Sequence, residues 1–152
     1  MIVYRVGKTR YATDLTGEGA RLNGGRWNHK LTACIYTSES RALAVLEYTV
    51  NINIEEIPRT LSITTFEIPD TDIQKLSIAK LPGNWKDFPA PFSTKAFGDL
   101  LLEAAVSPVI RVPSSIIPEE FNYLLNPAHP ASRDFKIVEV KDFVYDVRIK
   151  LI

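Results

Sequence analysis

A chain of 152 residues, 45% of them apolar, has the size and composition of one domain with a substantial core. Eighteen basic residues balance eighteen acidic ones, so no net field draws the chain to nucleic acid or to an anionic membrane, and direct binding to either is not expected. The one cysteine, Cys34, excludes an internal disulfide and a cysteine-rich zinc site, no metal is expected, and the absence of a signal-peptide pattern or a long apolar run makes the chain read as soluble and cytoplasmic.

Ile2-Val3-Tyr4-Arg5-Val6 is β-branched and aromatic and predicts a strand that Gly7 and Lys8 terminate. Alternation puts Arg5 on the face of Val3, either solvated or aimed into a cleft. Thr13 to Asn28 reads as an irregular loop, with Gly17, Gly19, Gly24 and Gly25 in close succession. It fits neither the dinucleotide fingerprint nor the phosphate-loop pattern. Arg21, Arg26 and Trp27 raise it above a plain connector, because guanidinium groups suit bidentate phosphate contacts and glycine-rich backbone approaches ligands closely.

Cys34-Ile35-Tyr36 predicts a second strand, followed by a turn and an Ala/Leu-rich helix for which Thr37 and Ser38 are the candidate caps. Leu43, Leu46 and Val50 fall at i, i+3 and i+7, which places Glu47 on the same apolar face. A carboxylate there needs a partner, a ligand or a shifted pKa, since burying it unpaired costs several kcal/mol. Tyr36 has two readings, a ligand-stacking group or a core aromatic with a satisfied hydroxyl.

Arg59 to Ile68 alternates polar with apolar and predicts a strand with Leu61 and Ile63 inward. Ile73 to Pro91 is less legible; Trp85 and Phe88 are expected to pin it to the core. Ser93 to Ala105 predicts a helix with Glu103 solvated, and Val109 to Val112 a short strand ended by Pro113-Ser114-Ser115. A serine at a strand end is commonly a turn residue, and without a G-x-S-x-G elbow Ser114 is not expected to be a nucleophile. Asn122, Asn126 and His129 lie in an apolar stretch, where His129 reads as structural rather than as a base. One or two closing strands are expected over Lys136–Val140 and Phe143–Ile149.

Taken in order, Tyr4-Arg5-Val6, Gly24-Gly25-Arg26-Trp27-Asn28, Ile35-Tyr36-Thr37, Ala42 to Glu47, Val112-Pro113-Ser114 and Asn122 to Pro130 resemble the RES domain family, over nearly the whole chain. The resemblance implies a single RES domain over 1–152. Its fold would be α+β, with a mixed, mainly antiparallel sheet and flanking helices, similar to ADP-ribosyltransferase toxins. The Arg, Glu and Ser that name the family map onto Arg5, Glu47 and Ser114.

It further implies a toxin of a bacterial toxin–antitoxin pair that consumes NAD as substrate, with no separate cofactor. Arg5, Glu47 and Tyr36 would be catalytic, Arg26, Ser114, Trp27 and Asn28 would bind substrate, and Asn122, Asn126 and His129 would support the pocket. The expected partners are an Xre-like helix-turn-helix antitoxin and a second copy in a homodimer. Water, phosphate or a protein side chain could accept the ribosyl group. Two rival readings are a non-catalytic binding module and a ribonuclease using His29 and His129, the latter disfavoured by the neutral charge.

Overall fold

Runs of β-branched and aromatic residues build seven strands: β1 Ile2–Lys8, β2 Ile35–Ser38, β3 Leu61–Glu67, β4 Ile73–Lys75, β5 Val109–Pro113, β6 Phe121–Leu125 and β7 Lys136–Phe143. The computed structural model describes residues 1–150. The strands form one sheet in the order β4-β5-β6-β2-β1-β3-β7, antiparallel throughout except for the parallel β4–β5 pair. With the helices α1 Glu18–Asn23, α2 Arg41–Val50 and α3 Phe92–Ala104 this is the expected α+β arrangement.

Register assigns the two faces. Tyr4 pairs with Ser38, Ser38 with Asn122, Tyr36 with Leu124, and Leu124 with Ile110. Directly opposed residues share a face, so Tyr4, Tyr36, Ser38, Ile110, Val112, Asn122 and Leu124 lie together. Ile110, Val112 and Leu124 pack with Trp27, Cys34, Leu76, Leu81, Trp85 and Leu102 into one core. The other face carries Val3, Ile35, Phe66, Val109, Tyr123 and Leu125, which form a second core with Ile68 and Phe135. Each fully buried aliphatic or aromatic side chain in these cores contributes about 1.5–3 kcal/mol.

Several local expectations are corrected. β1 runs on through Gly7 and Lys8, because both pair with β3. The 13–28 loop contains α1, bounded by Gly17 and Gly24 at φ of 70° and 74°, values at which a side chain is strained. Phe88 is 80% exposed, and it is Trp85, together with Leu76 and Leu81, that pins the 76–91 segment to the core. The closing segment is one strand, β7, and Val147–Lys150 turns into a 3-10 helix.

The helix α3 buries Thr94, Gly98 and Leu102 at i, i+4 and i+8 and leaves Leu100 exposed. Gly98 meets the backbone of Trp27: a Cβ there would stand 1.8 Å from the Trp27 carbonyl oxygen. Trp27 in turn stacks on Trp85 with ring centroids 6.2 Å apart. Gly98→Ala is expected to lower stability by about 2 kcal/mol or more, through overpacking against backbone that cannot rotate away. Gly19→Ala in α1, where an added Cβ meets nothing within 4 Å, serves as the comparison and should be neutral or stabilising in urea unfolding.

Candidate active site

Ser40 caps α2, its hydroxyl oxygen accepting from the Leu43 amide at 3.1 Å, and this sets the rotation of the helix. Leu43 and Ala44 are buried, whereas Val50 is 46% exposed, so the buried stripe is narrower than the spacing predicts. Thr37 and Ser38 are not the caps. They still belong to β2, where the Thr37 hydroxyl donates to the Tyr123 carbonyl and Ser38 donates to Asn122 Oδ1 at 2.7 Å.

Glu47, one turn beyond Leu43, is half-buried. Its Oε1 accepts from Ser114 Oγ and from Asn122 Nδ2, both at 2.7 Å. Ser114 is fully buried at the end of β5, and its oxygen accepts from the Ile116 and Ile117 amides. Those two amides direct the serine proton toward Glu47. Asn122 is oriented from its other end by Ser38. The partner that a carboxylate on this face requires is therefore a pair of neutral donors, and Oε2 has no protein donor among the described residues.

Tyr36, on the same face, donates its hydroxyl to Asn28 Oδ1 at 2.6 Å and accepts from the Trp27 amide at 3.0 Å. Burial pushes its pKa well up, so it stays a neutral donor. Asn28 is fully buried and its Nδ2 donates to the carbonyls of Ala20, His29 and Thr32. Gly25 is required beside this knot, since a Cβ would come within 2.6 Å of the Tyr36 oxygen. The glycine-rich loop is thus bolted to β2 and to α1.

Arg26 follows in that loop. Its Nη1 donates to the carbonyls of Trp85 and Asp87 at 2.7 and 2.9 Å, leaving Nε and Nη2 without a protein acceptor among the described residues. Partial burial lowers its pKa, against the opposing fields of Glu47, Tyr36 and Asp87. Arg26 is the arginine that shares an electrostatic neighbourhood with Glu47.

Arg5 is not brought to Glu47. Alternation along β1 places it on the sheet face opposite Tyr4, Tyr36 and Ser38. There its guanidinium donates to the carbonyls of Tyr11, Ala12 and Asp14 and covers the Phe66 ring at 4.9 Å. Asp14 closes the same loop by accepting from Thr16 and from the Gly17 amide.

Asn126 is buried, donates to the Leu102 carbonyl and accepts from the Ala128 amide, while His129 Nδ1 accepts from the Ala131 amide. His29 is held elsewhere, by Asp99 at 2.8 Å and against Phe92. No grouping of three His, Cys, Asp or Glu side chains suited to a metal occurs among the described residues. Cys34 is buried with its thiol pKa pushed up, which leaves it inert. The roles of Ser38 and Asp99 escaped the sequence reading because they depend on partners 84 and 70 residues away.

A mainly antiparallel α+β domain with a helix-borne carboxylate fixed by a serine and an asparagine, facing an arginine from a glycine-rich loop, defines the class of protein. The RES domain model matches residues 2–147, and the chain belongs to that family. It is 39% identical over 152 residues to Toxin Res of Yersinia enterocolitica serotype O:8 / biotype 1B, covering 99% of this chain and 100% of that protein. It is 37% identical over 145 residues to the Prs ADP-ribosylating toxin of Sphingobium sp., covering 93% and 90%. A chain of the M. tuberculosis MbcT-MbcA toxin-antitoxin complex shares the fold with a TM-score of 0.71 at 18% identity, over 94% of this chain and 84% of that one.

Tyr36→Phe strands the Trp27 amide and Asn28 Oδ1, and a loss of about 1–3 kcal/mol is expected as a lower urea midpoint at unchanged slope. A pH effect is expected at Asp14. Burial opposes its ionisation, but the Thr16 and Gly17 hydrogen bonds and Arg5 outweigh it, so the native pKa lies below the ordinary value. Its stabilisation is therefore present above the ordinary carboxylate pKa, about 3.9, and is lost as the pH falls through the lower native value. Asp14→Asn should unfold at lower urea than the parent at pH 7, and the gap should close below about pH 3.

Proposed function

We propose that this chain is an NAD-consuming toxin of a toxin–antitoxin pair, and that its site cleaves the bond between nicotinamide and ribose. The observation that carries this reading is the Glu47 carboxylate, held at Oε1 by Ser114 and Asn122 with Oε2 left for a ligand, in the field of Arg26. The similarity to Toxin Res and to the Prs ADP-ribosylating toxin supports the toxin part of this reading.

Breaking the C1′–N bond of NAD sends the electron pair to the pyridinium ring, and nicotinamide leaves neutral without a general acid. Positive charge then builds on the ribose as an oxocarbenium-like centre, as in glycoside hydrolysis. An ionised carboxylate pre-oriented by neutral donors stabilises that charge without reorganising. In this reading Glu47 is catalytic and Arg26 holds the pyrophosphate through its uncommitted nitrogens. Ser114 and Asn122 orient Glu47. Tyr36, Trp27 and Asn28 fix the loop that carries Arg26, Asn126 and His129 brace the segment after β6, and Arg5 braces the opposite face. Attack by water or phosphate at C1′ forms the new C–O bond, and a proton is lost when water is the acceptor.

A second reading, transfer of ADP-ribose to a protein side chain, is favoured by the 37% identity to the Prs ADP-ribosylating toxin. The proposed partner is an antitoxin of the Xre-like helix-turn-helix type, and the proposed location is the cytoplasm.

Incubating the chain with NAD, with and without phosphate, should release nicotinamide, and Glu47→Gln should slow release roughly a hundred- to a thousand-fold. Arg26→Ala should act mainly on KM. ADP-ribose, a phosphorylated ADP-ribose or a labelled protein would identify the acceptor. No nicotinamide and no labelled protein under any condition would overturn the assignment.

A further inference from the structure

Arg26 stands at the tip of a tight turn, Gly25 to Asn28, closed by backbone hydrogen bonds in both directions between its end residues. Gly24 and Gly25, which precede Arg26, have no side chains with which to anchor the backbone. Side-chain restraint on the turn therefore comes from the residues that follow. Trp27 lies against Gly98, and Asn28 bonds Tyr36. His29, the first residue beyond the turn, is taken by Asp99 of α3 at two points: one carboxylate oxygen accepts from the His29 amide at 2.9 Å, and the other faces ring Nδ1 at 2.8 Å. A carboxylate only accepts, so Nδ1 carries the proton, and the ring is oriented along with the backbone. Phe92 covers that ring with centroids 4.6 Å apart. Lys95, four residues before Asp99, would be its ordinary partner within the helix, yet the two form no ion pair among the described residues. Asp99 spends both oxygens on the loop.

We propose that Asp99 is a positioning residue for Arg26: by latching the amide and the ring of His29 it fixes the base of the turn, and with it the direction in which the Arg26 guanidinium leaves the loop. This rests on the reading of Arg26 as the group that holds the pyrophosphate. Arg26 does not set that direction by itself. Both of its protein contacts go through Nη1, to the carbonyls of Trp85 and Asp87, so the rest of the guanidinium can pivot about one nitrogen. A bidentate contact to phosphate requires Nε and Nη2 at a fixed distance and in a fixed plane. Small misplacements of such a group are costly even when their origin is remote from the chemistry. Two contacts at residue 29 remove the rocking of the turn that would misplace it.

Steady-state nicotinamide release and amide hydrogen exchange test this together. Asp99→Ala should raise KM for NAD roughly tenfold and change kcat less than about twofold. Asp99→Asn, whose amide oxygen still accepts from the His29 N–H, should stay within about threefold of the parent KM. His29→Ala loses only the half-buried ring and should fall between the two, which keeps the test decisive even where Asp99→Ala folds poorly. In the Arg26→Ala background Asp99→Ala should add less than about twofold to KM, because a residue that acts through Arg26 then has nothing left to position. An unchanged KM in Asp99→Ala and His29→Ala, an Asp99→Asn chain as impaired as Asp99→Ala, or effects that multiply in the double variant would each overturn the proposal. Exchange needs no NAD. The Trp27 and Asn28 amides, which donate to Tyr36 and Gly25 rather than to Asp99, should exchange about tenfold faster or more in Asp99→Ala, and faster to a smaller degree in His29→Ala, while those of β1 and β3 stay as in the parent. Parent-like exchange at Trp27 and Asn28 in both variants overturns the latch. A parent chain inert toward NAD, with faster exchange in the variants, removes the NAD reading and retains the latch.

Discussion

Two short hydrogen bonds to one carboxylate oxygen hold three parts of this molecule together. Glu47 stands on α2, Ser114 ends β5 and Asn122 lies in β6, so the position of the helix over the sheet is written into a single acceptor. Each hydrogen bond to a charged group of this kind contributes about 1.5–3 kcal/mol, a sizeable part of the stability of a small domain. The donors are neutral, and this matters as much as their number. A cation in their place would quench the charge, whereas a serine hydroxyl and an amide orient it and leave it available. Behind them stand the Ile116 and Ile117 amides and Ser38, which fix the two donors in turn.

The division of the sheet into two faces explains why two arginines that look alike in the sequence have different surroundings. Arg26 sits in a loop that Asn28 and Tyr36 fasten, and it spends one nitrogen on backbone while the others stay open. Arg5 sits mid-strand on the far face and ties down the turn at residues 11–14. Parity along β1 decides this, and a shift of one residue in the β1–β2 register would exchange the outcome.

Much of the architecture was legible because periodicity reports on burial. The strands β1, β3 and β5, the helices α2 and α3, and the placement of Glu47 on a sheet-facing stripe follow from local pattern. What failed did so for identifiable reasons. Ser38 and Ser40 are equally good caps by residue type, and only the length of β2 selects between them. Phe88 is hydrophobic enough for the core but lies at a proline-bounded bend that points it outward. The site was legible in its members and not in its wiring. Glu47, Ser114 and Asn122 could each be named from the sequence, yet that they share one oxygen is a matter of packing across 67 and 75 residues.

The contact between Gly98 and the Trp27 carbonyl has a bearing on how this chain can change over time. A helix position remote from the chemistry admits no side chain unless the loop next to Arg26 withdraws. Any withdrawal would also pull at the Tyr36–Asn28 knot. Residues 27 and 98 are therefore not independent under selection. A substitution at either is tolerated only in the context of the other, and drift in the helix is constrained by the requirements of the pocket.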